Sequence, residues 1–211
     1  MENFNKIKES ILNNKITLFC TNQNNVDLIR DLIYSLSFED DKATFMHCIE
    51  ENNTTYTSEL ISKISGISST QIEYYLSPCV PDMIYNFSEK QLNSKFDIPN
   101  IDRNKYIDAV EKIQNKKIFI TDKKTFSDED NITHIFNTID SDVIIVDDFF
   151  ELLRQDDIRS SDALKRIKEE IDGDDSHIVL FVNNPSDMEI DLLEYGYIDN
   201  YISDEWIKDV E

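Results

Sequence analysis

Glycine is scarce in this chain. The 211 residues contain three, and none precedes Gly66. A phosphate-gripping loop needs glycines so that backbone N–H groups can close on the phosphates, and a lysine to neutralise them. Cysteine is sparse as well. Cys20, Cys48 and Cys79 are odd in number, widely spaced and free of any C-x-x-C, which reads as reduced thiols in or near the core. His47, His134 and His177 stand singly, so no metal site is expected. No run of about 18 apolar residues exists, which excludes a transmembrane helix from expectation. The opening Met-Glu-Asn-Phe-Asn-Lys lacks the basic-then-apolar pattern of a signal peptide, so a cytoplasmic location is expected. Positive charge is short too: 21 basic residues against 43 acidic ones leave a net charge of −22. Phosphate backbones are bound by clustered Lys and Arg, so direct nucleic-acid binding is not expected. An acidic surface of this kind favours solubility and suits docking onto a basic partner.

What is present alternates between strand and helix patterns. Residues 2–13 place Phe4, Ile7, Ile11 and Leu12 on one side of an amphipathic helix. Lys15–Cys20 reads as a buried strand, and Val26, Ile29, Leu32, Ile33 and Leu36 then follow helical spacing. Ala43–Ile49 is a second strand. Thr57 is expected to cap a helix that Gly66 terminates. Residues 77–102 carry Pro78, Pro81 and Pro99 with weak periodicity and read as an irregular excursion. Arg103–Gln114 is helical and Lys117–Thr121 a strand. Ser127 opens a capping-box-like start to a helix with Ile132, Ile135, Phe136 and Ile139 inward. Val143–Val146, apolar on both faces, has the character of a central parallel strand. A helix carrying Ala163, Leu164, Ile167 and Ile171 and a strand over Ile178–Val182 follow. The sum is an α/β fold, a parallel sheet with helices on both faces. We expect an N-terminal helix over 1–14 and a single domain over 15–211.

Chemistry in an open parallel sheet sits at the carboxyl ends of the strands. Those ends hold Cys20–Asn25, Glu50 and Glu51, Asp122, Asp147 and Asp148, and Asn183 and Asn184. A carboxylate after the 143–146 strand can hold Mg²⁺, and Glu50 could polarise a water. Both roles require a bound triphosphate. Without phosphate-loop donors, clustered carboxylates repel one another and the nucleotide.

The order of these pieces resembles the C-terminal RecA-like domain of DnaB-type replicative helicases, over residues 12–207. Cys48-Ile49-Glu50 is similar to the family's Ser-Leu-Glu, which carries the catalytic glutamate. Asp148-Phe-Phe-Glu-Leu-Leu153 resembles its Walker B segment, which favours Asp148 over Asp147 as the vestigial Mg²⁺ ligand. Arg159 and Ala163-Leu164-Lys165-Arg166-Ile167 fall where the family has an Arg and a Leu-Lys helix. Asn183 stands at the family's sensor Gln, and Asp191–Asp199 is similar to its Asp-Leu-Arg-Glu-Ser-Gly-x-Ile-Glu. The resemblance implies a RecA-like, P-loop-type fold.

The departures point away from a motor. The phosphate loop would occupy Thr21, Asn22, Gln23, Asn24, Asn25 and Val26, with Asn24-Asn25-Val26 in the place of Gly-Lys-Thr. The chain ends before the region of the family's arginine finger, and no counterpart of its N-terminal helical domain precedes it. The stretch resembling the DNA-facing loop, Asn184–Tyr195, carries four acids and no base. The resemblance therefore implies a pseudo-ATPase with no cofactor. Its expected partner is a protein in or near DNA replication, such as a replicative helicase or another RecA-like subunit. Two alternatives stay open: a divergent NTPase holding ATP and Mg²⁺, and an acidic nucleic-acid mimic.

Overall fold

A computed structural model of the chain describes residues 2–21, 25–49, 53–76, 101–122, 135–136, 140–155, 157–171, 174–183 and 196–203. Six strands form one sheet: β1 Ile16–Thr21, β2 Thr44–Cys48, β3 Ile118–Asp122, β4 Val143–Val146, β5 His177–Asn183 and β6 Asn200–Ser203. Among the described residues the α-helices are α1 Glu2–Leu12, α2 Val26–Tyr34, α3 Asn53–Ser65, α4 Ser69–Leu76, α5 Arg103–Gln114, α6 Phe149–Gln155 and α7 Ser160–Ile171. The strands lie in the order β3-β2-β4-β5-β1-β6, and every pairing is parallel. The expected class, a parallel α/β sheet, is what the structure shows. The chain divides into two compact units, residues 1–52 with 117–211, and residues 53–116.

In the first unit, β1, β2 and β4 are buried at every position. That is why their sequences are apolar without alternation. Ile16, Leu18, Phe45, Ile144, Val146, Ile178 and Leu180 point to one face and pack with Phe149, Leu152, Ala163, Leu164 and Ile167 of α6 and α7. Phe19 and Phe181 point to the other face and stack at 4.7 Å. Ile7, Ile11, Ile29, Leu32 and Ile33 of α1 and α2 are equally buried but belong to none of that first cluster. The sheet is therefore covered on both sides.

The shortage of glycine shows where helices stop. α2 does not end at a glycine; it widens into a π-helical turn over Ser35–Glu39, with Asp40 N–H donating to Ser35 O at 3.2 Å. Asp41 then takes φ +55°. Asp157, at φ +51°, does the same after α6, where Ile158 N–H returns to Leu153 O at 3.1 Å. These are the left-handed positions that glycine ordinarily fills, and aspartate is among the few residues that tolerate them.

The second unit is helical. Ile61, Ile67, Ile72, Ile101 and Ala109 form its core, and Tyr75 meets Tyr106 edge-on at 5.3 Å. Gly66, at φ +70°, ends α3 as expected, with its N–H on Ser62 O. Thr57 is not the cap: α3 starts at Asn53, and the Thr57 hydroxyl donates back to Asn53 O at 2.7 Å. The sequence pattern has no counterpart of α4, α6 or β6; each is short, so its periodicity is weak. Asp102 caps α5 by accepting from Lys105 N–H. Residues 77–100 of the expected excursion lie outside the described residues. So does the expected helix from Ser127, apart from Ile135 and Phe136, which are helical and buried.

Candidate functional site

The carboxyl ends of β1, β2, β4 and β5 carry the residues singled out by sequence. Parallel register sets Thr21 beside Asn183 and His47 beside both Val146 and Thr121. Cys48 lies beside Asp122. Asn22, Gln23, Asn24 and Glu50 lie outside the described residues, and so does the side chain of Asn183.

Thr21 is the last residue of β1, and Val26 is the first of α2. Asn25 occupies the N-cap position of α2, its C=O accepting from Ile29 N–H at 2.8 Å, with no side-chain cap bond. Both flanks of this connection are buried: Thr21 is 1% exposed and Asn25 8%.

The two acids after β4 have separate roles. Asp147 is buried, and its Oδ1 accepts the backbone N–H of Ile49 at 2.5 Å. Its own N–H points to His47 O at 3.5 Å. The carboxylate thus bridges the ends of β4 and β2. Asp148 caps α6: its Oδ1 accepts Glu151 N–H at 2.9 Å, and its C=O accepts Leu152 N–H. One oxygen of each acid is committed to backbone. Among the described residues, no group of three or more His, Cys, Asp or Glu side chains is placed to hold a metal ion.

His47 is the functional-looking residue that a reading of the sequence has little reason to notice. It lies fully buried in β2 with Nδ1 3.1 Å from the Thr121 hydroxyl. Burial pushes its pKa down to about 4, against an opposing pull from Asp122. The available signal is a titratable side chain inside an otherwise uncharged strand. Arg159 lines a surface hollow of about 510 Å³ with Asp157, Asp162, Lys165, Arg166 and Glu169. Acids and bases are equal in number there, so the hollow selects neither sign of ligand. None of the strand-end residues lines it.

No helix among the described residues is long and apolar enough to cross a membrane. No protein-family model matches the chain, and no curated protein does. Among solved structures the chain is similar to the ATPase domain of a DnaB-type helicase, at 14% identity and a TM-score of 0.49, over 80% of this chain and 57% of that one.

Proposed function

We propose that this is a helicase-type α/β domain that has lost its phosphate loop and acts through protein contacts in or near DNA replication, without binding or hydrolysing ATP. The observation that carries the reading is the length and burial of the β1–α2 connection. A G-x-x-x-x-G-K-[ST] loop places about six residues ahead of its lysine, all free to curl around phosphate. Here β1 runs through Thr21, and only residues 22–24 separate it from Asn25, which stands where the lysine would be. A neutral, buried amide at that position supplies no charge to a triphosphate. The acids next to β4 support the same reading, since one brackets two strands and the other caps a helix.

The test is titration of the full chain with ATP and Mg²⁺, followed by calorimetry and thermal melting. No heat and no shift are expected up to millimolar nucleotide. A ligand at a hundred times its dissociation constant stabilises by about 2.7 kcal/mol, so real binding would be plain, and its appearance would overturn the reading. The net charge of −22 supports a basic protein surface as the docking target. Size-exclusion chromatography with a purified replicative helicase, at low and high salt, tests that partner. The charge also favours a second reading, nucleic-acid mimicry, under which DNA would compete for the same partner surface.

A further inference from the structure

Among the described residues β3 is an outer strand of the sheet, bonded to β2 on one side. Register places Phe119, Phe45, Ile144, Ile178 and Ile16 in one row across five strands. The inner four are at most 2% exposed, while Phe119 is 53% exposed. The apolar row thus ends in the open, on an aromatic ring. Ile118 and Ile120, on the opposite face, are half-buried. An outer strand presents N–H and C=O groups that can accept another strand, and a flat apolar one does so unless it is guarded.

The strand's ends choose the occupant. Lys117 precedes β3 and Asp122 closes it. A parallel neighbour of the same sequence would set lysine on lysine and aspartate on aspartate. An antiparallel neighbour brings unlike charges together. A two-fold axis normal to the sheet also requires opposed residues to share a face. With Phe119 on the axis, Ile118 meets Ile120 of the second copy, and Lys117 meets Thr121, next to Asp122. Each pair is apolar on apolar or cation beside anion, the cross-strand combinations that stabilise antiparallel ladders.

We propose that β3 pairs antiparallel with β3 of a second copy, Phe119 opposite Phe119, joining two sheets edge to edge. The net charge of −22 on each copy opposes the approach at low ionic strength. Screening removes that long-range term and leaves the strand contact, so association strengthens as salt rises.

Two measurements on the full chain decide it. Sedimentation equilibrium in moderate salt is expected to show a dimer, and Phe119→Glu to weaken it by about tenfold or more. Circular dichroism first confirms that this variant is folded. In a Cys79→Ser background, Phe119→Cys is expected to form a disulfide-linked dimer under mild oxidation, because opposed residues in antiparallel strands lie about 4.5–5.5 Å apart between Cα atoms. Thr121→Cys, which faces Lys117 instead of itself, is expected not to link. A chain that stays monomeric to about 200 µM, a folded Phe119→Glu variant that dimerises like the parent, or equal cross-linking at both cysteines would each overturn the proposal.

Discussion

The carboxylate of Asp147 accepts the backbone N–H of Ile49 at 2.5 Å, spanning the ends of β4 and β2. Asp148, the next residue along, accepts from Glu151 N–H instead. Two adjacent acids that look interchangeable in the sequence therefore hold different parts of the fold, and their substitutions should differ in cost.

Replacing Asp147 by Ala leaves the Ile49 N–H without its carboxylate acceptor and is expected to cost about 2–3 kcal/mol. Asp148→Ala removes a helix cap and should cost about 1 kcal/mol. Asp147→Asn keeps an acceptor oxygen and should fall between them. Urea denaturation gives the three values. A larger loss at Asp148 than at Asp147 would contradict the assignment.

His47 makes stability depend on pH. Its folded pKa is about 4, against 6.5 when solvated. Between those values the unfolded chain binds the extra proton, so this residue lowers stability as pH falls through that range. Above about 6.5 it contributes no pH dependence. A difference of this size amounts to about 3 kcal/mol. His47→Gln should remove it, so the gap between parent and variant stability should shift by about that amount between about pH 7 and pH 4. Parallel curves for the two proteins would refute this account.

Lys8 ties α1 to the π-helical turn. Its ammonium reaches the Ser35 hydroxyl at 3.0 Å, Asp40 at 2.9 Å and Glu39 at 3.4 Å. Partial burial draws its pKa down, but Asp40 and Glu39 outweigh that and leave it above its ordinary value. Lys8→Met is expected to cost about 1 kcal/mol at neutral pH. The contribution is present below pH 10.5, the ordinary lysine value, and fades as pH rises through the folded pKa. Denaturation curves at neutral and alkaline pH measure both.

Rebuilding the phosphate-loop signature in place should fail. Asn24→Gly, Asn25→Lys and Val26→Thr together restore the residue types without restoring length. They also put a charge at a position 8% exposed. The triple variant should lose stability by at least about 1 kcal/mol and show no ATP binding by calorimetry. Micromolar affinity in that variant would show that the connection is long enough after all.

Much of the fold was legible because buried strands and amphipathic helices leave strong periods. β4 and α5 match their expected bounds, and β1, β2, β3 and β5 fall within about two residues of theirs. Short elements are harder: α6 has seven residues and β6 four, too few for a period to show. The choice of Asp148 over Asp147 rests on resemblance of neighbouring residues. Nothing in a one-dimensional pattern could show that Asp147 bonds to a residue 98 positions away.

By itself, the sequence determined the α/β class, the strong acidity and the lack of glycine before residue 66. Those are matters of composition and local period, and local physics decides them. Only the tertiary structure showed how the chain manages that lack: Asp41 and Asp157 take left-handed turns, and β1 runs to within four residues of α2. It also decided that Phe119, an ordinary strand residue by pattern, lies on an open sheet edge. Strand order fixes which residues are outermost, and that order arises from contacts between segments far apart in the chain.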